Sequence, residues 1–329
     1  EIQASDWSSD VCSSDLGIDD RLRGCQMGKV TIIAARPGVG KTAFTTSMVA
    51  KQVVSHDPER TPMPPCFFVS LEMPTEELVL RVTQDITKMS EDEICFGDMP
   101  PQEDWQRISR AADLIARAPL DINDQAGQTV EQIAAAVWRW RRRRWPKGVP
   151  KGAFGYVVID YLTRIKKSRA GDTLQDRVTH SMEVLTTLAK DTGLAIILLS
   201  QLTRLHVNEG RRPDMGDLKG GGEIEENAFA VVLLHPLGRN EDSAAGKKWR
   251  GLVAALIDKN RAGQPGKSVM LHFEGALYSF RAWNMDTDGR VDDVLGELTG
   301  RAGPPVQKQP RKPKQEALPS APPDRGPQE

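Results

Sequence analysis

The run Ala35 to Thr42, ARPGVGKT, sets two glycines, a lysine and a hydroxyl within eight residues. Glycines at 38 and 40 let the backbone curl so that successive N–H groups point inward, a cradle suited to phosphate oxygens. A helix starting at the end of such a loop adds its positive N-terminal dipole. Lys41 is then expected to reach the β- and γ-phosphates of a nucleotide, and Thr42 to hold Mg²⁺ through its hydroxyl. The nucleotide is expected to lie against Ala35, Arg36, Pro37, Gly38, Val39, Gly40, Lys41, Thr42 and Ala43. Ala35 stands where such loops usually begin with glycine, a small departure.

Phosphate chemistry needs more than a cradle. In GYVVIDYL an apolar run ends at Asp160, a carboxylate able to hold Mg²⁺ through water. In FFVSLEM, Glu72 falls just past another buried run and ahead of a proline and a helix. That placement fits a group orienting the attacking water better than it fits a helix cap. In ILLSQL, Gln201 ends a third run. Its position serves equally for a γ-phosphate sensor or an ordinary strand terminus.

These side chains need a scaffold that brings strand ends together. Apolar, β-branched runs at Val30–Ala34, Cys66–Leu71, Tyr156–Ile159, Leu194–Leu199 and Phe229–Leu234 read as strands. Amphipathic stretches at Thr42–Val54, Thr75–Thr87, Glu103–Arg117, Val130–Arg144 and Leu174–Asp191 read as helices. Continuous apolar strands separated by helices predict an α/β fold, with a mostly parallel twisted sheet covered on both faces. Leu252–Asp258 and Ser268–Phe273, joined by AGQPGK, predict a hairpin-like C-terminal extension. Residues 17–285 are expected to form one domain, and the Pro-rich, basic residues 286–329 a disordered tail.

Composition narrows the classes further. The chain has 329 residues, 39% hydrophobic and 27% charged, with net charge −1. The whole surface is therefore not basic, although a groove needs only one local basic face. No apolar run is long enough to span a membrane. Four cysteines without CxxC or metal spacing point to a reducing cytoplasm. Residues 1–16, EIQASDWSSDVCSSDL, have no periodicity and repeat SSD. DWSSDVCSSDL reads as the translation of a common short-read sequencing adapter, so the natural sequence is expected to enter at Gly17.

AARPGVGKT, FFVSLEM, VVIDYL, LLSQL, DLKGGGEIEENA and IDKNRAGQPG follow one another in an order and spacing that resembles the DnaB-type replicative helicases. The resemblance runs from about Gly17 to Trp283. It implies a RecA-like P-loop NTPase core, ATP and Mg²⁺ as cofactors, and a homo-hexameric ring moving on single-stranded DNA. It also implies a primase and a helicase loader as partners. Lys41, Thr42, Glu72, Asp160 and Gln201 would form the site within one subunit. Lys259 and Arg261 would be the basic pair inserted into the neighbour's nucleotide. The loop Asp217–Gly222 would follow DNA phosphates through Lys219, Gly220 and Gly222.

Two departures stand out. DLKGGG replaces the family's DLRESG, so Lys219 lacks the two-pronged grip of arginine. YLTR, Tyr161 to Arg164, replaces YLQL, and its expected effect is on the adjoining loop rather than on metal binding. Lys166, Lys167, Arg169, Arg204, Arg211 and Arg212 could line a DNA channel or simply be surface. WRWRRRRWPKG, Trp138 to Gly148, reads as a solvated or subunit-facing helix end before it reads as a base-stacking site. The alternative function is a RecA-like recombinase or loader without unwinding activity. A different class is a regulatory nucleotide-binding protein.

Overall fold

The computed structural model describes residues 18–22, 24–57, 63–95, 101–148, 150, 153–169, 171–204, 211–237 and 251–284. The adapter-like residues 1–16 and the Pro-rich segment from 286 lie outside the described residues. In chain order the strands are β1 (Val30–Ala35), β2 (Cys66–Ser70), β3 (Leu120–Asn123), β4 (Tyr156–Asp160), β5 (Ala195–Gln201), β6 (Ala230–Pro236), β7 (Leu252–Asn260), β8 (Lys267–Glu274) and β9 (Ser279–Ala282). The helices are α1 (Asp19–Leu22), α2 (Lys41–Ser55), α3 (Thr75–Thr87), α4 (Glu91–Cys95), α5 (Gln102–Arg117), α6 (Val130–Arg144), α7 (Leu174–Thr192) and α8 (Gly221–Asn227).

All nine strands join one sheet in the order β3-β2-β4-β5-β1-β6-β7-β8-β9. The first six of that order pair in parallel, and β6 to β9 continue as antiparallel neighbours. Strand β1 alternates between two cores. Ile33 and Ala35 pack on one face with Val49 of α2, Leu78 of α3 and Phe280 of β9. Val30, Ile32 and Ala34 pack on the other with Ile133 of α6, Leu185 of α7 and Ile224 of α8. A strand buried on both faces must be apolar throughout, which is why β1, β2, β4 and β5 read as continuous runs.

The fold departs from the sequence expectation at both sheet edges. Strand β3, LDIN, is short and only half-buried, so its signal is too weak to separate from a loop. Strand β9 turns the predicted hairpin into a three-stranded antiparallel extension. That extension supports the loop after β1. Phe280 stacks with Phe273 at a centroid separation of 4.8 Å and meets Phe44 of α2 edge-on at 5.7 Å. A Cβ on Gly40 would stand 2.9 Å from Phe280 Cε2, and Gly40 has φ +101°, so glycine is required there twice over.

Candidate functional site

Strand β1 is central, with β5 on one side and β6 on the other, and its carboxyl end opens into the crevice where open α/β sheets bind ligands. Ala35 ends the strand, residues 36–40 turn, and Lys41 begins α2. Gly40 caps this helix without a side-chain hydrogen bond, so no side chain competes with an anion for its first N–H groups. The Lys41 side chain is buried, with its ammonium 5.6 Å from the centre of the Tyr161 ring. Burial pulls its pKa down, while Asp160 and Glu72 pull it up. A bound phosphate would add to the second effect.

Thr42 Oγ1 donates to Asp160 Oδ2 at 2.6 Å, which joins the loop after β1 to the end of β4. Asp160 is buried, and burial raises its pKa against the hydrogen bond from Thr42 and the nearby Lys41. Its second oxygen, Oδ1, is buried without a hydrogen-bond partner. A buried carboxylate oxygen left unpaired beside a hydroxyl is costly by itself and well matched to a hard cation. Among the described residues, no three His, Cys, Asp or Glu side chains could hold a metal ion. An ion here would therefore complete its shell with nucleotide oxygens and water, as Mg²⁺ does.

Glu72 lies on the turn after β2, next to β4, where Leu71 N donates to the Asp160 carbonyl at 2.8 Å. It does not cap α3; Pro74 holds that position, and Asp124 reaches over to accept from Thr75 N and Oγ1. Glu72 Oε1 instead accepts from Arg164 Nη2 at 3.0 Å. The expectation for YLTR thus changes: Arg164 touches the candidate catalytic carboxylate directly. The signal was present as a departure from YLQL, but nothing in the spacing showed where the guanidinium would point.

Gln201 ends β5 and lies opposite Ala35 in the register. Its backbone carbonyl accepts from Lys219 N at 3.1 Å, and its Oε1 accepts from Lys219 Nζ at 3.3 Å. The candidate sensor and the candidate DNA loop are therefore in contact. The loop is anchored by Asp217, whose fully buried carboxylate accepts both Nη1 and Nη2 of Arg211, at 2.8 and 2.9 Å. Arg211 is a structural clamp on this loop, whatever else it touches. Gly220 has φ +86°, and a Cβ there would stand 2.7 Å from Val178 of α7. Arg204 and Arg212 are exposed, as are Lys166, Lys167 and Arg169.

Lys259 and Arg261 are elsewhere. Arg261 N donates to the Phe229 carbonyl, and Phe229 N donates to the Val30 carbonyl. The pair is thus level with the start of β1, whereas the phosphate loop leaves its end. Six residues of strand separate the two levels, about 17 Å. Both cations rest on the last turn of α8, Lys259 Nζ on the Glu225 carbonyl and Arg261 Nη2 on the Glu226 carbonyl at 2.7 Å. The structure does not bring them to the nucleotide loop of their own chain.

Of the three tryptophans in and just after α6, one is fully core. Trp140 is 1% exposed, stacks on Phe67 at 5.3 Å and donates from Nε1 to Asp121 at 2.8 Å. Trp145 packs edge-on against it at 5.8 Å, and Trp138 stays on the surface beneath Arg141. This favours the helix-end reading over a base-stacking site.

A nucleotide cradle on the central strand of a doubly covered sheet, with carboxylates from two neighbouring strand ends, defines a RecA-like nucleotide-binding domain. The chain belongs to the family described as DnaB-like helicase C terminal domain, whose model matches residues 13–282. It is 28% identical over 265 residues to the replicative DNA helicase DnaB of Pasteurella multocida strain Pm70, covering 80% of this chain and 53% of that protein. It is 30% identical over 279 residues to the replicative DNA helicase DnaC of Bacillus subtilis strain 168, covering 84% and 56%. The chain thus spans about half the length of these curated relatives. Among solved structures it is similar to the ATPase domain of G40P, at TM-score 0.72 and 25% identity over 85% of this chain and 94% of that one. It is also similar to a DnaB-like replicative helicase studied with primase, at TM-score 0.69 and 26% identity over 82% and 63%. Among the described residues, no helix is long and apolar enough to cross a membrane.

Proposed function

We propose that this domain is the ATP-driven motor of a replicative DNA helicase, working as a homo-hexameric ring on single-stranded DNA. The observation that carries the reading is the contact of Lys219 with Gln201, which ties the candidate DNA loop to the strand end facing the nucleotide. The loop Arg36–Gly40, the α2 N-terminus and Lys41 bind the ATP phosphates. Thr42 and Asp160 hold Mg²⁺, which when bound neutralises charge on the β- and γ-phosphate oxygens. Glu72 orients the attacking water. Gln201 senses the γ-phosphate and passes its state to Lys219, Gly220 and Gly222. Arg204 and Arg212 add positive charge along the strand's path. Lys259 and Arg261 serve the neighbour's nucleotide, since their own lies at the other edge of the sheet. A primase and a loader are the partners expected of such a ring. Residues 1–16 are proposed to be foreign to the natural protein.

The test is ATP hydrolysis by residues 17–329, with and without single-stranded DNA, on material of known oligomeric state. Strong stimulation by DNA supports the motor, and its absence from a verified hexamer counts against it. Glu72→Gln should abolish turnover while leaving nucleotide binding intact; unchanged turnover removes Glu72 from the mechanism.

A further inference from the structure

Arg164 closes the turn Leu162–Arg164 that follows β4, and its guanidinium bridges two site residues. Nη2 donates to Glu72 Oε1 at 3.0 Å, and Nε donates to Tyr161 Oη at 3.0 Å. Both contacts favour the charged guanidinium, that to Glu72 most. Tyr161 is buried and also faces Lys41, so it is a fixed post between the phosphate loop and Arg164.

This arrangement has a chemical consequence for Glu72. A carboxylate that orients water needs its lone pairs turned toward the γ-phosphate. Here one of its two oxygens is taken by a guanidinium, at 3.0 Å. Both side chains are about half-exposed, 52% for Arg164 and 44% for Glu72. Pairs this open bias an equilibrium by a factor of a few and do not seal it. The contact is thus suited to release.

The means of release is next in the chain. Ile165 is buried, and beyond it Lys166, Lys167 and Arg169 are exposed cations on one loop. The loop backbone is tied at several points: Lys166 N donates to the Gln128 carbonyl at 2.8 Å, Arg169 N to Asp172 at 3.0 Å and Arg177 Nη1 to the Ile165 carbonyl at 3.3 Å, while Ser168 Oγ donates to Glu131 at 2.9 Å. A phosphodiester strand bound by these cations would act on the same segment that carries Arg164.

We propose that Arg164 is a positioning residue that holds Glu72 out of its reactive orientation until single-stranded nucleic acid engages the cationic loop, which withdraws the guanidinium. The inference rests on the reading of Glu72 as the water-orienting group.

The experiment measures kcat and KM for ATP of the full chain, with and without single-stranded DNA, for wild type, Arg164→Gln, Arg164→Lys and Glu72→Gln. Arg164→Gln should raise the DNA-free kcat about two- to fivefold, the range of an exposed ion pair, with KM unchanged and fold-stimulation by DNA reduced accordingly. Arg164→Lys retains a cation and should keep the DNA-free rate low. A purely structural role for Arg164 lowers activity and cannot raise it. A flat or reduced DNA-free kcat in Arg164→Gln, with turnover abolished in Glu72→Gln, overturns the gate and leaves the helicase reading standing. Retained turnover in Glu72→Gln overturns both.

Discussion

At the scale of single residues, burial of ionisable groups in the candidate site works against stability. Asp160 is the clearest instance, being buried, ionisable and bonded through only one of its two oxygens. Burial raises its folded pKa above its unfolded value, so the folded protein binds the proton more tightly. Stability contributed by this group is therefore present at low pH and lost as pH rises through the raised pKa. Asp160→Asn removes that loss. Without nucleotide, the variant should unfold at a higher temperature than wild type at neutral pH, and the gain should shrink as the pH is lowered toward the ordinary carboxylate range. Its ATP turnover should fall by about 100-fold or more, as expected when a group stabilising phosphoryl charge is deleted. Thermal melts across pH, paired with turnover, test both halves. Equal melting at every pH would show that the buried carboxylate carries no such cost.

Among the elements, α8 has an unusual position. It begins beside Gln201, behind Lys219 and Gly220, and ends under Lys259 and Arg261. The segment from Lys219, level with Gln201, to Phe229, level with Val30, thus runs from the carboxyl edge of the sheet to its opposite edge with this helix in its middle. The start of this helix is set by Gly220, which has both a left-handed φ and Val178 against its missing Cβ. Gly220→Ala should cost about 1–3 kcal/mol in backbone strain and a comparable amount in crowding. It should also uncouple DNA from hydrolysis by displacing Lys219. Gly222→Ala is the control, because a Cβ there meets nothing within 4 Å. Inside a helix that change should be neutral or stabilising by up to about 1 kcal/mol. Denaturant midpoints of the two variants separate the outcomes, and equal midpoints would remove the strain argument. The β8–β9 extension plays a similar part at the phosphate loop, where Phe273 and Phe280 hold Gly40 from behind.

For the whole molecule, the decisive fact is that the nucleotide loop and the basic pair leave opposite edges of one sheet. On the proposed reading, in which the basic pair serves a nucleotide, a subunit built this way would not complete its own site, whereas a head-to-tail ring would place one edge against the next subunit's other edge. The expectation is testable by mixing. Glu72→Gln and Arg261→Ala proteins should each be inactive as pure assemblies. Random co-assembly in equal amounts gives about one interface in four that pairs an intact Glu72 with an intact Arg261 from its neighbour. Turnover should return to about a quarter of the wild-type rate per subunit. No recovery, with mixed assemblies verified, would mean that the two groups act within one chain.

Most of the fold was legible before any coordinates. Helices Thr75–Thr87 and Val130–Arg144 follow from amphipathic period alone, and the buried strands from their apolar runs, because burial on a known face constrains residue type at every step. Strand β3 and α8 were not legible. One is half-exposed and the other short and opened by glycines, so neither imposes a pattern. The same division holds for the site. Lys41, Thr42, Asp160 and Glu72 stand out as candidates because the proposed phosphate and metal chemistry calls for those residue types at strand ends, and the structure brings them near one another. The pairing of Arg211 with Asp217, of Lys219 with Gln201 and of Arg164 with Glu72 is not legible in this way. A long charged side chain can reach any of several partners, and only the packing of the backbone decides which carboxylate or carbonyl lies within hydrogen-bond reach of it.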